Sequence, residues 1–412
     1  MKQRHMVRSG CVAAILMWLS MTASAGCQTN ADSWKLCGSA QADAAIAACT
    51  AVIESGSAAT ERLARAFLYR GVAYERKGQY DRATDDIDRA IGLKPAYAAA
   101  LNERGVVYGL RRDYDRALLD FDRAIEVQPR YPGAIMNRGF ALEKKGLIDA
   151  AILEYDRSIA MDASRPLAFL NRGHAYASKG QYDAAIEDYG RAIALDPDYA
   201  AAFDSRGNAY RRLGQSQRAM EDHDRAIELD PKSSFAFMNR GVLYHDQKLS
   251  DRAMRDFDRA IELDPKNALA YSNRGTLYEE AGNFVRAIED YDRAIEIDPA
   301  SSGPFNNRCW ARVMLNRPAE ALVDCERALA LQPDNAAAMD SRGFAYLRAN
   351  ETAAAVRDFT AALVLDPTQA SSFYGRALAK RRIGDAAGAD ADMAAAVRLR
   401  PNIVAEFARY RL

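Results

Sequence analysis

Residues 234–267 read SFAFMNRGVLYHDQKLSDRAMRDFDRAIELDPKN. The proline near the end of this stretch, Pro265, belongs to a register. Pro95, Pro129, Pro197, Pro231, Pro299, Pro333, Pro367 and Pro401 all fall on the same 34-residue spacing. The one gap is Ala163, and Pro166 stands three residues beyond it. Alanine keeps the register without exception, from Ala83 and Ala117 through Ala253 to Ala389. Arginine keeps it from Arg70 and Arg104 through Arg240 to Arg376. A sustained period of this length marks a stacked-repeat architecture, because one short unit cannot bury its apolar faces alone.

Within the quoted unit Phe237, Gly241, Tyr244, Ala253, Phe257, Ala260 and Pro265 stand at fixed offsets. This pattern resembles the tetratricopeptide repeat. The resemblance implies an all-α fold, a right-handed superhelical solenoid of about ten helix–turn–helix units. Small residues at the Gly241 and Ala253 positions let two helices approach closely, and Phe237, Tyr244 and Phe257 fill the space beside them. Proline ends one unit and starts the next, since it cannot continue a helix. The expected units are 64–97, 98–131, 132–165, 166–199, 200–233, 234–267, 268–301, 302–335, 336–369 and 370–403.

The ends differ. Residues 26–63 form a linker and a half-unit, in which Asp43 to Ile53 looks like a second helix without its first. Residues 404–412 are expected to cover the exposed end of the stack as a capping helix, with Ile403, Val404, Phe407 and Tyr410 on one face. Residues 1–25 read as a secretory signal. Lys2, Arg4, His5 and Arg8 precede an apolar run from Cys11 to Met21, and Ala23-Ser24-Ala25 supplies small residues for cleavage. The run is short for a bilayer span. Ser24-Ala25-Gly26-Cys27 loosely resembles a lipobox, which makes Cys27 a lipidation candidate. The alternative function is then a membrane-anchored lipoprotein adaptor for envelope assembly machinery, and membrane contact is expected only if Cys27 is acylated.

The totals agree with a folded scaffold. The 412 residues carry 56 Lys+Arg and 56 Asp+Glu, with 27% charged and 49% hydrophobic residues. A balanced charge excludes the strong positive surplus of a simple nucleic-acid binder. The composition excludes both a disordered chain and a multi-span membrane protein. Removing residues 1–25 takes away Lys2, Arg4 and Arg8 and no acid, so 53 basic residues face 56 acidic ones.

Cys309 stands where eight of the ten units have Gly, and Cys325 where most have an aromatic or a large aliphatic residue. The two positions face each other across one hairpin, so the paired departures read as a disulfide in an oxidising compartment. Cys37 and Cys49 are expected to form a second bridge, tying the loop at Trp34 to the half-unit. The alternative for each pair is buried free thiols. The Trp34-to-Cys49 segment and the stretch Asn307 to Arg312 resemble exported repeat proteins of rhizobia and related alphaproteobacteria, which implies a Gram-negative periplasm.

No Gly-rich phosphate loop, GxSxG, HExxH or CxxC occurs. The repeats leave no room for a separate catalytic domain, so no reaction, cofactor, metal or small-molecule substrate is expected. His223 takes a core aromatic position, and His174 and His245 take inner positions of first helices. The acids at Asp86, Asp120, Glu154, Asp188 and Asp222, and at the same offset onward to Asp392, recur in every unit. Paired with the periodic Arg, they read as an exposed ion-pair ladder worth ~0–1 kcal/mol per pair. Runs such as Asp258-Arg259-Ala260-Ile261 read as a solvated outer face.

The resemblance places function on the first helices, whose concave side binds extended peptides or protein surfaces in this family. Asn137, Asn171, Asn239, Asn273 and Asn307 share one inner position, interrupted by Ser205. They resemble the asparagine ladder of long arrays such as that of O-GlcNAc transferase. An amide both donates and accepts, so such a ladder would hold a peptide backbone. Met136, Phe140, Leu170, Phe235, Met238, Val242, Trp310 and Phe344 are expected to supply apolar pockets. Arg211, Arg212, Arg348, Arg381 and Arg382 add positive charge, which Glu279 and Glu280 interrupt. The Lys/Asn carboxylate clamp of co-chaperone arrays is not reproduced. The expected partner is a protein or an extended peptide, and no nucleic acid.

Overall fold

The computed structural model describes residues 34–409. The signal segment 1–25, Cys27 and Tyr410 lie outside the described residues. The described chain folds as α-helices joined by short turns, with no strand among the described residues. It forms two compact units divided after Pro197, each with its own core.

In the first unit a helical turn at residues 34–37 and the helix Ala42–Glu54 precede four pairs. These are Thr60–Arg76 with Tyr80–Leu93, Ala98–Leu110 with Tyr114–Val127, Pro132–Lys144 with Ile148–Met161, and Pro166–Ser178 with Tyr182–Leu195. In the second unit six pairs follow one another. They are Ala200–Arg212 with Ser216–Leu229, Ser234–Asp246 with Ser250–Leu263, Ala268–Glu280 with Phe284–Ile297, Ser302–Met314 with Pro318–Leu331, Ala336–Arg348 with Thr352–Leu365, and Ala370–Arg382 with Ala386–Leu399. A short helix, Ile403–Ala408, closes the described chain. Inside each unit the second helix of a pair packs on the first helix of the next, and successive first helices also touch. The first helices therefore line one face of each unit.

Packing inside a pair rests on a small residue against a ring. A Cβ placed on Gly241 would lie 2.7 Å from Cε1 of Phe257, and one on Gly173 would lie 2.5 Å from Cε1 of Tyr189. Both rings are buried, so neither has room to yield. The alanines Ala253, Ala260 and Ala236 are likewise buried. Where the glycine is replaced, its partner changes too. Cys309 faces Cys325, and Ala377 stands in the pair whose aromatic position is Met393. Cys309 and Cys325 form a disulfide, and so do Cys37 and Cys49. The latter fixes the segment of Trp34, whose ring lies under the Arg62 guanidinium at 4.8 Å.

The turn between the two helices of each pair passes through one left-handed residue. Gly78, Gly146, Gly180, Gly214, Gly282 and Gly384 take it, and so do Arg112, Lys248, Asn316 and Asn350. These ten residues are spaced by 34. A side chain is unfavourable in this backbone region, so Arg112 and Lys248 are locally strained.

The periodic Arg and acid are paired as expected, but the acids are not exposed. Arg240 grips Asp256 with both Nε and Nη2, at 2.8 and 2.9 Å, and Asp256 is buried. The same two-pronged contact joins Arg104 to Asp120 and Arg274 to Asp290. Hydrogen bonds donated to Asp120 and Asp290 hold these two guanidinium groups above their ordinary pKa, against the opposing effect of burial. The third nitrogen reaches back one unit. Arg240 Nη1 donates to Asp224 at 2.7 Å, and Arg274 Nη1 to Asp258 at 2.7 Å. Asp258, whose side chain is half-exposed, is therefore also a tie between neighbouring repeats. Arg240 also lies against Phe237 and Tyr244 of its own helix, and Arg274 against Tyr271 and Tyr278.

The last helix departs from the expected cap. Ile403 and Phe407 are buried, whereas Val404 is 46% exposed. Phe407 does not sit over the end of the last pair alone. It lies 4.7 Å from the Tyr374 ring, 5.2 Å from Phe344 and 6.0 Å from Trp310, on three successive first helices.

Candidate interaction surface

The first-helix face holds the asparagines in both units, but the amides of Asn137, Asn239, Asn273 and Asn307 are already engaged on one side. Asn137 donates to Oδ1 of Asn102 at 3.0 Å, and Asn102 donates to Glu103 at 3.2 Å. Asn239 donates to Oδ2 of Asp204 at 2.8 Å. Asn273 reaches the Met238 sulfur at 3.6 Å, and Asn307 accepts from Asn306 at 3.4 Å. Asn171 is half-buried on the same face of its helix. A carboxylate only accepts. Asp204 therefore fixes which end of the Asn239 amide points into the stack, and the carbonyl oxygen faces away from it. The same Asp204 binds the buried ring of His223 through Nδ1 at 2.9 Å. His223 is thus a packing residue at the aromatic position, as its register implies. His174 lies edge-on to Tyr189, and His245 pairs with Glu280 at 2.9 Å.

The apolar residues divide into two groups. Phe235 is 55% exposed and Phe140 is 40% exposed, both on first helices. Trp310 is half-buried. Met136, Leu170 and Met238, by contrast, are buried in the stack, and Phe344 is fully buried. These four are corrected from pocket lining to core. The reason is position: helix contacts between neighbouring pairs close over Met136, Leu170 and Met238, and the Phe407 ring stacks on Phe344 at 5.2 Å. Val242 is half-buried.

In the first unit a cavity of about 330 Å³ opens between two first helices and the start of a second helix, bounded by Val106, Leu110, Tyr114, Asn137 and Phe140. It is mostly apolar, with the Asn137 amide at its wall. In the second unit a larger cavity of about 400 Å³ is bounded by Glu279, Glu280, Trp310, Asp340, Arg400 and Phe407. Burial pushes the Glu279 carboxyl up to about 7, against a hydrogen bond from the Tyr291 hydroxyl at 3.0 Å. Burial likewise pushes Asp340 up to about 6, against hydrogen bonds from Ser372 and Ser371 at 2.6 and 2.8 Å. The sequence pointed to Glu279, Glu280 and Trp310 here but not to Asp340. Its only signal was an acid at an inner position where the preceding unit has Asn306.

The expected positive charges are mostly spent. Arg211 pairs with Asp246 at 2.9 Å, Arg381 pairs with Asp390, and Arg382 donates to the Leu347 carbonyl at 2.7 Å. Arg212 is exposed.

Profiles of the tetratricopeptide repeat match residues 98–131, 234–267 and 268–301, and 64–97 and 200–233. A further profile, described as TPR repeat, matches 173–214. The five full windows each frame one helix pair. The chain is a tetratricopeptide repeat protein. Its fold is shared with solved structures. One is a tetratricopeptide repeat protein from Parabacteroides merdae ATCC 43184, with TM-score 0.50 and 20% identity over 60% of this chain and 98% of that one. Another is the APC/C hetero-tetramer Cut9–Hcn1, with TM-score 0.53 and 14% identity over 88% and 91% of the two chains. A search of the curated proteins returns no match.

In this tetratricopeptide repeat protein the scaffold accounts for the periodic charges, the glycines and the core rings. What remains on the first-helix face is Phe140 beside its cavity, exposed Phe235, the acid-lined cavity at Trp310, and the carbonyls of Asn137 and Asn239. No helix of the described residues is long and apolar enough to cross a membrane.

Proposed function

We propose that the chain is a non-catalytic scaffold of the cell envelope that binds a protein or an extended peptide along the first-helix face. The observation that carries this reading is the one-sided engagement of the asparagines. With their N–H groups turned into the stack, Asn137 and Asn239 offer carbonyl oxygens to the N–H groups of a bound backbone. Phe140, Phe235 and the two cavities supply places for side chains. Such a surface recognises a chain's backbone broadly and its side chains at a few points.

The test is a photo-crosslinking residue at Phe235 in cells, followed by identification of what is captured. Capture of a defined protein, lost on changing Asn239 and Asn273 to Ala, supports the reading. Equal capture by both forms removes the asparagines from the site.

One observation favours the anchored alternative. Cys37, Cys49, Cys309 and Cys325 are all used in disulfides, which leaves Cys27 as the unpaired cysteine of a chain cleaved after Ala25. Acylation would use it, tethering an adaptor at a membrane. Absence of label on the wild-type chain grown with a palmitate analogue ends this alternative.

A further inference from the structure

The final helix, Ile403–Ala408, behaves as a ligand of the array rather than as a cap. It spans six residues, too few to hold a helix by themselves. Two side chains attach it, Ile403 and Phe407, while Val404, Ala405 and Ala408 are exposed. Phe407 stacks on Phe344 with ring planes 25° apart and also meets Trp310 and Tyr374. Trp310 and Phe344 hold the same inner position in successive first helices. Glu406, next to the ring, meets Arg400 at 3.3 Å. The cavity of about 400 Å³ continues beside Phe407, so the helix fills only part of the surface it lies on.

We propose that residues 403–408 are a resident occupant of the inner face of the last three repeats. The partner for this end of the array is then a peptide segment that replaces them, presenting an aromatic side chain to the Trp310–Phe344–Tyr374 socket and a neighbouring carboxylate to Arg400. This inference rests on the scaffold reading and adds the chemistry of one recognition point. The chain's own tail is the template. A ring between Trp310 and Tyr374 gains offset and edge-on aromatic contacts that an aliphatic side chain lacks. A tail held by two residues is also readily exchanged by a competitor that fills the adjoining cavity as well.

The probe is a fluorescein-labelled peptide of residues 400–409, titrated into the full chain. The wild-type protein, with its socket filled, should bind it weakly. Phe407→Ala should bind it at least tenfold more tightly, and the same peptide with Ala in place of Phe should bind neither form. Phe407→Leu guards against loss of folding, because it keeps an apolar side chain; it should bind to an intermediate extent. Val404→Asp, on the exposed side of the same helix, should match wild type. Equal binding by wild type and Phe407→Ala overturns the proposal. So does a lack of binding by Phe407→Ala and Phe407→Leu when their helical content and melting are unchanged. The measurement uses purified protein and no cellular partner, so its outcome is separate from that of the Phe235 crosslink.

Discussion

Asn239 donates its side-chain N–H to Asp204 at 2.8 Å, across a separation of one repeat and one residue. Asn137 makes the equivalent contact to Asn102. At Asn137 and Asn239 the amide is thus half structural and half available. Changing Asn239 and Asn273 together to Ala should weaken the partner captured at Phe235 by about 1 kcal/mol for each lost hydrogen bond. Calorimetric titration against that partner measures it. Asn239→Asp should act differently: it sets a second carboxylate against Asp204 and should lower the melting temperature as well as binding.

The disulfide in the pair Ser302–Met314 and Pro318–Leu331 substitutes for a glycine–ring contact. Cys309→Gly combined with Cys325→Phe restores the arrangement seen at Gly241 and Phe257, and it should fold without the bridge. Cys325→Phe alone should fail, because the Cβ of Cys309 would meet the ring at a distance comparable to the 2.7 Å found for Gly241. Cys309→Ser alone should cost roughly 3 kcal/mol. Urea denaturation of the three forms orders them.

Lys248 holds a left-handed backbone, φ 62°, that most other units assign to Gly. Lys248→Gly should stabilise the chain by about 1 kcal/mol, and Gly282→Ala should destabilise it by a similar amount. Denaturation midpoints at fixed slope would show both effects.

Glu279 is held up to about 7 by burial, against 4.5 for an ordinary glutamate. Between these values the folded chain keeps a proton that the unfolded chain has released. Its contribution to stability is therefore full below about pH 4.5, falls as pH rises toward 7, and is lost above. Glu279→Gln keeps an acceptor for Tyr291 and removes the titration. It should flatten the decline over that window and raise stability at pH 8 by roughly 2 kcal/mol. Melting temperatures from pH 4 to 8 for both proteins make the comparison.

The fold was legible because its cause is local and repeated. Pro265, Ala253 and Gly241 each solve a backbone or packing problem that recurs every 34 residues, so one unit announces the rest. The disulfides were legible for the converse reason: Cys309 and Cys325 break that pattern together. The site was less legible. Sequence register places Phe344 and Phe235 on first helices alike, but only packing reveals that Phe344 is fully buried and Phe235 is 55% exposed. The ion pairs were found, but their burial was not, because exposure depends on what the neighbouring unit lays over them. Phe407 was expected on the buried face of a terminal cap, yet no spacing rule predicts that it returns to Trp310, almost a hundred residues earlier.

Arg274 binds Asp290 in its own unit and Asp258 in the unit before. Arg308 does the same with Asp324 and Asp292. Because the backward acid is the same residue type at the same offset, excising residues 268–301 would bring Arg308 against Asp258 and leave no arginine of the ladder unmatched. Duplicating that segment would do the same in reverse. The joints are interchangeable, so recombination between neighbouring copies of the coding sequence can lengthen or shorten this part of the array one frame at a time. The lineage can vary the length of the array without redesigning its arginine joints.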